Sequence, residues 1–335
     1  MAALFHPVFR SNPVVRPPEI LDLRHFSAAQ LRPLLRDEAT RWRARLHWDY
    51  TAAADMLLDY IDGRVLPGYV AVEPGRKRNV LGFAFCVYEA SKAVIGDVYA
   101  LHETESLHNP LCETLLTHMI EMLQATPGID RIESQLLMFP SGALATPFQR
   151  AGFHAHERLF MTCDLRRSDA TLNTLPPIYA VEPWHPSLFD AAAALIHRAY
   201  AGHMDSRLND QYQTLDGAQR FLHNIIRFPG CGTFDTQHSL GLRDTRTNTL
   251  AAVILCSQVQ RDAAHITQLC VDPTLRSQGL GRALLAACCT RLAAHGFRTL
   301  SLTVTEDNEK ALRLYEQQGF LTQHRFEAMV WNANR

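Results

Sequence analysis

Runs of alternating apolar and polar residues read as strands, and apolar positions three or four apart read as helices. On that reading a Pro-rich arm covers residues 1–18 and a short strand follows at Ile20 to Leu23. Ser27 is the N-cap of a helix to about Leu46, and a second helix spans Thr51 to Ile61. Strands are predicted at Gly68 to Glu73, Val80 to Tyr88 and Ala93 to Leu101. A helix from Pro110 to Gln124, a strand from Arg131 to Leu137, a short helix ending near Ala151 and a strand from Glu157 to Leu165 complete the first half. Residues 167–177, rich in Ser, Asp, Thr, Asn and Pro, read as a linker.

The order then recurs. A strand (Ile178 to Glu182) and two helices (Pro186 to Ala201, Leu215 to Arg227) precede strands at Thr233 to Arg243, Thr249 to Gln258 and Ala264 to Val271. A helix over 279–295, a strand from Thr299 to Thr305 and a helix after Asn308 follow. Residues repeat as well: Phe148-Gln-Arg-Ala-Gly152-Phe153 lies 167 positions before Tyr315-Glu-Gln-Gln-Gly319-Phe320. An internal repeat changes the domain count. The pattern predicts an α/β chain of two tandem domains, 19–166 and 178–335.

One stretch carries chemistry. Arg276-Ser-Gln-Gly279-Leu-Gly281 joins a strand to an amphipathic helix. A helix start leaves amide N–H groups without partners and concentrates positive charge, so it holds phosphate, and glycines let the main chain approach. With Asn308 and Tyr315 at their spacing, residues 178–331 resemble the Gcn5-related N-acetyltransferase superfamily. The resemblance implies that each domain is a mostly antiparallel sheet with flanking helices and a splayed pair of parallel central strands. It also implies acetyl-CoA as co-substrate, its pyrophosphate on the amides of Arg276, Ser277, Gln278, Gly279, Leu280, Gly281 and Arg282. Leu269, Cys270 and Val271 would hold the pantetheine arm and Asn308 would touch it or cap its helix. Tyr315 would protonate the departing thiolate. For the general base, His265 stands where histone-acetylating relatives carry a strand glutamate, and Glu306 is the second candidate. Asp205, Asp210 and Tyr212, in the polar stretch between two helices, are candidates for the acceptor amine, and Arg207 beside them would suit a carboxylate.

The first half lacks this equipment. Asn109 to Thr114 offer no glycine opposite Gly279 or Gly281, Glu113 would repel a phosphate, and Phe148 and Ser141 stand opposite Tyr315 and Asn308. The expectation is a degenerate copy that scaffolds or covers the substrate cleft.

Composition narrows the partners. Lys plus Arg number 33 and Asp plus Glu 34 with no basic block, which disfavours nucleic acid. No apolar run is long enough for a signal peptide or a membrane span. Eight cysteines without a Cys-x-x-Cys pair read as buried thiols of a cytoplasmic protein, and no metal-binding motif emerges. The expected partner is a small-molecule amine or a peptide or protein amine; a homodimer is left open. The rival from another class is a non-catalytic acyl-CoA sensor or scaffold.

Overall fold

The computed structural model describes residues 17–101, 109–166 and 175–333, without the side chains of Lys77 and Arg78. Most of the expected arm and linker therefore lie outside the described residues. The first half contains β1 (Glu19–Asp22), α1 (Ala28–Leu46), α2 (Thr51–Asp62), β2 (Gly68–Glu73), β3 (Arg76–Glu89), β4 (Lys92–Ala100), α3 (Pro110–Ala125), β5 (Arg131–Gln135), α4 (Ala145–Arg150) and β6 (His154–Asp164). The second contains β7 (Tyr179–Pro183), α5 (Phe189–Tyr200), α6 (Asp205–Leu208), α7 (Leu215–Arg227), β8 (Thr233–Phe234), β9 (Leu240–Asp244), β10 (Thr249–Gln260), β11 (Ala263–Val271), α8 (Leu280–Ala294), β12 (Thr299–Thr305), α9 (Glu309–Gln317) and β13 (Leu321–Asn332). The strand expected over 233–243 is broken, because the Asp235 carboxylate accepts from the amides of Gln237 and His238 and closes a turn.

The strands form one mixed sheet in the order β1-β2-β3-β4-β5-β13-β6-β12-β11-β10-β9-β7, with β8 on β10. The halves exchange their last strands: β13 pairs β5 of the first half, and β6 pairs β12 of the second. Between them β6 and β13 pair antiparallel, so the seam is ladder rather than loop contact.

Each half has one parallel pair that opens into a notch. β11 and β12 are paired from Ala263↔Thr299 to Ile266↔Leu302, β4 and β5 from Lys92↔Arg131 to Ile95↔Ser134, and both then splay. At the notch each half carries one extra residue, Thr267 against the Leu255–Cys256 step and Gly96 against the Phe85–Cys86 step. Such a bulge bends a strand and re-aims the residues beyond it. At Gly96 a Cβ would lie 2.3 Å from the Phe85 ring, so a larger residue there requires that ring to move.

Candidate functional site

The second notch opens into a cleft of about 800 Å³. Its floor is β11, whose Leu269, Cys270 and Val271 pair β10 on one edge and have left β12 on the other. Main-chain groups on the free edge thus face the cleft. One end of the cleft is the start of α8. Gly279 caps it at φ 77° with open space around its Cα, so glycine is there for the left-handed backbone. Gly281 serves closeness instead: a Cβ would sit 3.3 Å from Val271 Cγ2 and 3.9 Å from Leu314 Cδ2. No side chain caps this first turn and no acid lies in it, so its amides and positive end are left to an anion.

The expected phosphate-loop residues Arg276, Ser277, Gly279, Leu280, Gly281 and Arg282 line the cleft. Ser277 adopts a left-handed φ of 64°, the strained step that turns the chain into the helix. Two arginines already have partners: Arg276 donates to the Ala199 carbonyl at 2.5 Å, tying the loop to α5, and Arg282 donates to Gln317. Asn308 caps α9 by accepting from the Ala311 amide at 3.3 Å while lining the cleft.

Tyr315 also lines the cleft and is 8% exposed. Burial, and then the charge of Asp205, push its phenol above the ordinary range, so it is a hydrogen-bond donor at neutral pH. Asp205 lines the cleft and accepts from Thr305 Oγ1 at 2.6 Å. Two neighbours escaped the sequence reading. The Tyr200 hydroxyl donates to Gln268 Oε1 at 2.9 Å, and Gln268 Nε2, buried in the cleft wall, has no protein partner. A glutamine in the mostly apolar run from Ala263 to Val271, which His265 and Thr267 also interrupt, was the available signal.

Other expected residues lie elsewhere. Asp210 does not line the cleft; it meets Lys92 Nζ of the first half at 2.6 Å. Lys92 is 5% exposed in its side chain and also pairs Glu89 and Glu133 at 3.2 and 3.3 Å. Burial would lower the ammonium, yet Glu133, Asp210 and Glu89 together hold it above its usual range. Lys92→Met leaves Glu89, Glu133 and Asp210 close together with only Arg131 Nε, 2.6 Å from Glu133, as a counter-charge, and urea melts are expected to show a loss of about 3 kcal/mol. Tyr212 lies behind the wall, stacked on Tyr200 with centroids 4.1 Å apart. Arg207 supplies a carbonyl to Arg131 at 2.6 Å, another tie between halves. Glu306 is paired with Arg325 and does not line the cleft.

His265 is outside the cleft as well. Its Nδ1 lies 2.9 Å from Ser301 Oγ, and its ring packs edge-on against Trp48 at 4.8 Å. Burial, helped by the Arg158 charge, pushes it down to about 3. A base that weak cannot strip an alkylammonium whose pKa is near that of lysine, roughly 10. Among the described residues no three His, Cys, Asp or Glu side chains are grouped to hold a metal, and no helix is long and apolar enough to cross a membrane.

The first half differs at the equivalent place. Asn109 spends its side chain on the Leu111 and Cys112 amides at the start of α3, Pro110 removes a donor, and Glu113 adds negative charge there.

Residues 204–320 match the model of the acetyltransferase (GNAT) family. That matched segment, about a third of the chain, is similar to the GNAT family. Over 81 residues the chain is 37% identical to a [ribosomal protein bS18]-alanine N-acetyltransferase of Haemophilus ducreyi, covering 24% of this chain and 55% of that protein. A mycothiol acetyltransferase of Acidimicrobium ferrooxidans is 43% identical over 67 residues, 20% of this chain and 22% of that one. The similarity to curated relatives thus spans about half of one and a fifth of the other. In fold the likeness takes in both halves. A GCN5-related N-acetyltransferase from Sphaerobacter thermophilus superposes with a TM-score of 0.64 at 14% identity, covering 93% of this chain and 95% of its own. A tandem GNAT protein from the clavulanic acid biosynthesis pathway gives 0.60 at 14% identity, over 95% and 99%. Most of the residues that line the cleft, α8 among them, fall within the segment 204–320 that matches the family model.

Proposed function

We propose that this chain is an acetyl-CoA-dependent N-acetyltransferase whose chemistry runs in the GNAT domain. The observation that carries the reading is the uncapped, acid-free first turn of α8, opening at Gly279 and Gly281 into a cleft that Tyr315 also lines. The pyrophosphate of acetyl-CoA is held by the amides of residues 276–282, and the pantetheine arm runs along the free edge of Leu269, Cys270 and Val271. Cys270 is no acyl carrier, because burial pushes its thiol up to about 12.

The reaction is a direct attack with both substrates bound. A neutral amine forms the C–N bond at the thioester carbonyl, and the negative charge on its oxygen is met by main-chain N–H. Collapse breaks the C–S bond; the proton lost by nitrogen is balanced by the one gained at sulfur. Tyr315 donates a hydrogen bond to the leaving thiolate, a weaker base than the tyrosine phenolate would be, so the phenol stabilises rather than fully ionises. Positioning supplies much of the rate. Neither His265 nor Glu306 is assigned the proton.

The first half is proposed to have kept the fold without the phosphate site. The limits 19–166 and 178–335 are proposed as limits of repeats that share strands. The acceptor class is a small amine or a protein amine. All eight cysteines are free thiols, which supports a reducing, cytoplasmic setting.

The test is CoA release with acetyl-CoA and a panel of amines. Tyr315→Phe is expected to lower kcat by roughly tenfold to a hundredfold while the Kd for acetyl-CoA stays within twofold. Tight acetyl-CoA binding without turnover across the panel overturns the enzyme reading in favour of a sensor.

A further inference from the structure

A second cavity of about 270 Å³ lies where the two halves meet, and Thr303 lines both it and the acetyl-CoA cleft. Its walls include Trp42, Trp48, Tyr50, Phe85, Phe326 and His265. Trp42 stacks on Tyr50 with centroids 4.8 Å apart and on Trp48 at 5.5 Å, so the rings form a continuous π surface. Trp48 is 4% exposed, and its Nε1 has no protein partner.

Asp97 also lines this cavity. It follows the bulge at Gly96, the place that Gln268 takes after Thr267 in the second half. Its carboxylate accepts from the Val98 amide at 2.8 Å and the Tyr50 hydroxyl at 3.2 Å, both neutral donors. Glu38, 0% exposed, lies beside it and accepts from Trp42 Nε1 at 3.0 Å, while its Oε2 has no donor. Burial raises both carboxyls, Glu38 well above the carboxylate range, while the Val98 and Tyr50 donors favour the anion at Asp97, the group a cation entering the chamber would meet. Among the described residues no lysine or arginine pairs with either. A buried charge without a counter-ion is costly unless a ligand supplies one.

We infer that this chamber binds an organic cation and that the acceptor is a small amine carrying a second positive charge, a diamine or an amine with a quaternary ammonium group. Aromatic faces and a carboxylate are what such a head recognises. The group held there stays charged, so it is not the nucleophile; the nucleophile is a second amine reaching the wall at Thr303. That wall favours a neutral amine, because Arg158 donates to Thr303 Oγ1 at 2.9 Å and a guanidinium nearby disfavours ammonium. Arg158 arrives on β6, the exchanged strand, and Asp97 and Glu38 also belong to the first half. The first half thus supplies the acceptor's specificity. This inference rests on the acetyltransferase reading for the identity of the cleft, but its test does not.

The probe is (3-aminopropyl)trimethylammonium, compared with its neutral-headed isostere 4,4-dimethylpentylamine. Calorimetry on the full chain without acetyl-CoA is expected to show the cationic head binding at least about tenfold more tightly. The double variant Glu38→Gln, Asp97→Asn should erase that preference, and Glu38→Gln alone, which leaves the charge on Asp97, should keep it. Neutral amides in an apolar setting cost less than an acid pair, so the double variant is expected to fold; circular dichroism and its acetyl-CoA affinity, unchanged, check this. Turnover adds a second readout, the ratio of kcat/KM for the two amines, which should fall from about ten or more to about one. Equal binding of the two probes by the wild type, or a preference that survives the double variant, overturns the inference while acetyl-CoA binding leaves the enzyme reading standing. Preferential binding of the cation with no CoA release is the opposite case: the chamber holds and the acetyltransferase reading fails.

Discussion

Gly281→Glu is expected to eliminate acetyl-CoA binding without unfolding the protein. The new Cβ would meet Val271 Cγ2 at 3.3 Å, a contact relieved by a few tenths of an ångström of movement, so the backbone of α8 survives. The carboxylate is the larger effect. It would sit in the first turn, where a pyrophosphate needs amides and a positive helix end, and two like charges about 5 Å apart at a partly buried site repel by roughly 3 kcal/mol. That alone weakens binding by more than about a hundredfold. Gly281→Ala separates the causes, since it adds the contact without the charge and should lose only severalfold. Calorimetric titration with acetyl-CoA reads both, and normal binding by Gly281→Glu removes the basis of the site assignment.

The second large effect is on stability in acid. His265 is neutral in the fold because burial, and the Arg158 charge beside it, push its pKa down to about 3. In the unfolded chain the imidazole titrates near ~6.5, so between those values the unfolded state binds the extra proton and stability falls as pH drops. The contribution is intact above pH ~6.5 and is lost toward pH ~3, on the order of 4–5 kcal/mol in all. His265→Gln removes the proton site. Urea melts should therefore show wild type losing about 2 kcal/mol more than the variant between pH 6.5 and 5. Parallel stability curves for the two proteins would contradict the buried, neutral assignment.

Much of this architecture was legible along the chain because it is local. Ser27 with Gln30 forms the capping box that starts α1, and the predicted span of α7, Leu215 to Arg227, is the observed one. The glycine-led turn before α8 was legible for the same reason, since the motif needs only its own backbone. What escaped depends on residues far apart. The sequence places Asp210 in a polar stretch suited to an amine, but its partner is Lys92, 118 positions earlier. His265 looks like an ordinary titrating histidine until Trp48 and Phe160 of the other half close over it. Strand exchange could not be read either: β6 and β13 are similar half-apolar runs, and pairing with β5 or β12 satisfies the same ladder.

That exchange governs how the chain can be made. A ribosome that has finished β5 has produced a strand whose neighbour, β13, starts at Leu321 and does not exist yet. Until then the nascent first half either holds a raw edge at β5, the kind of surface that invites aggregation, or covers it with β6, which must later give way to β13. Sequence-distant pairings of this sort slow folding. Cutting the gene between the repeats yields two fragments that each lack a neighbour for an inner strand, so co-expression rather than separate purification is the route to either.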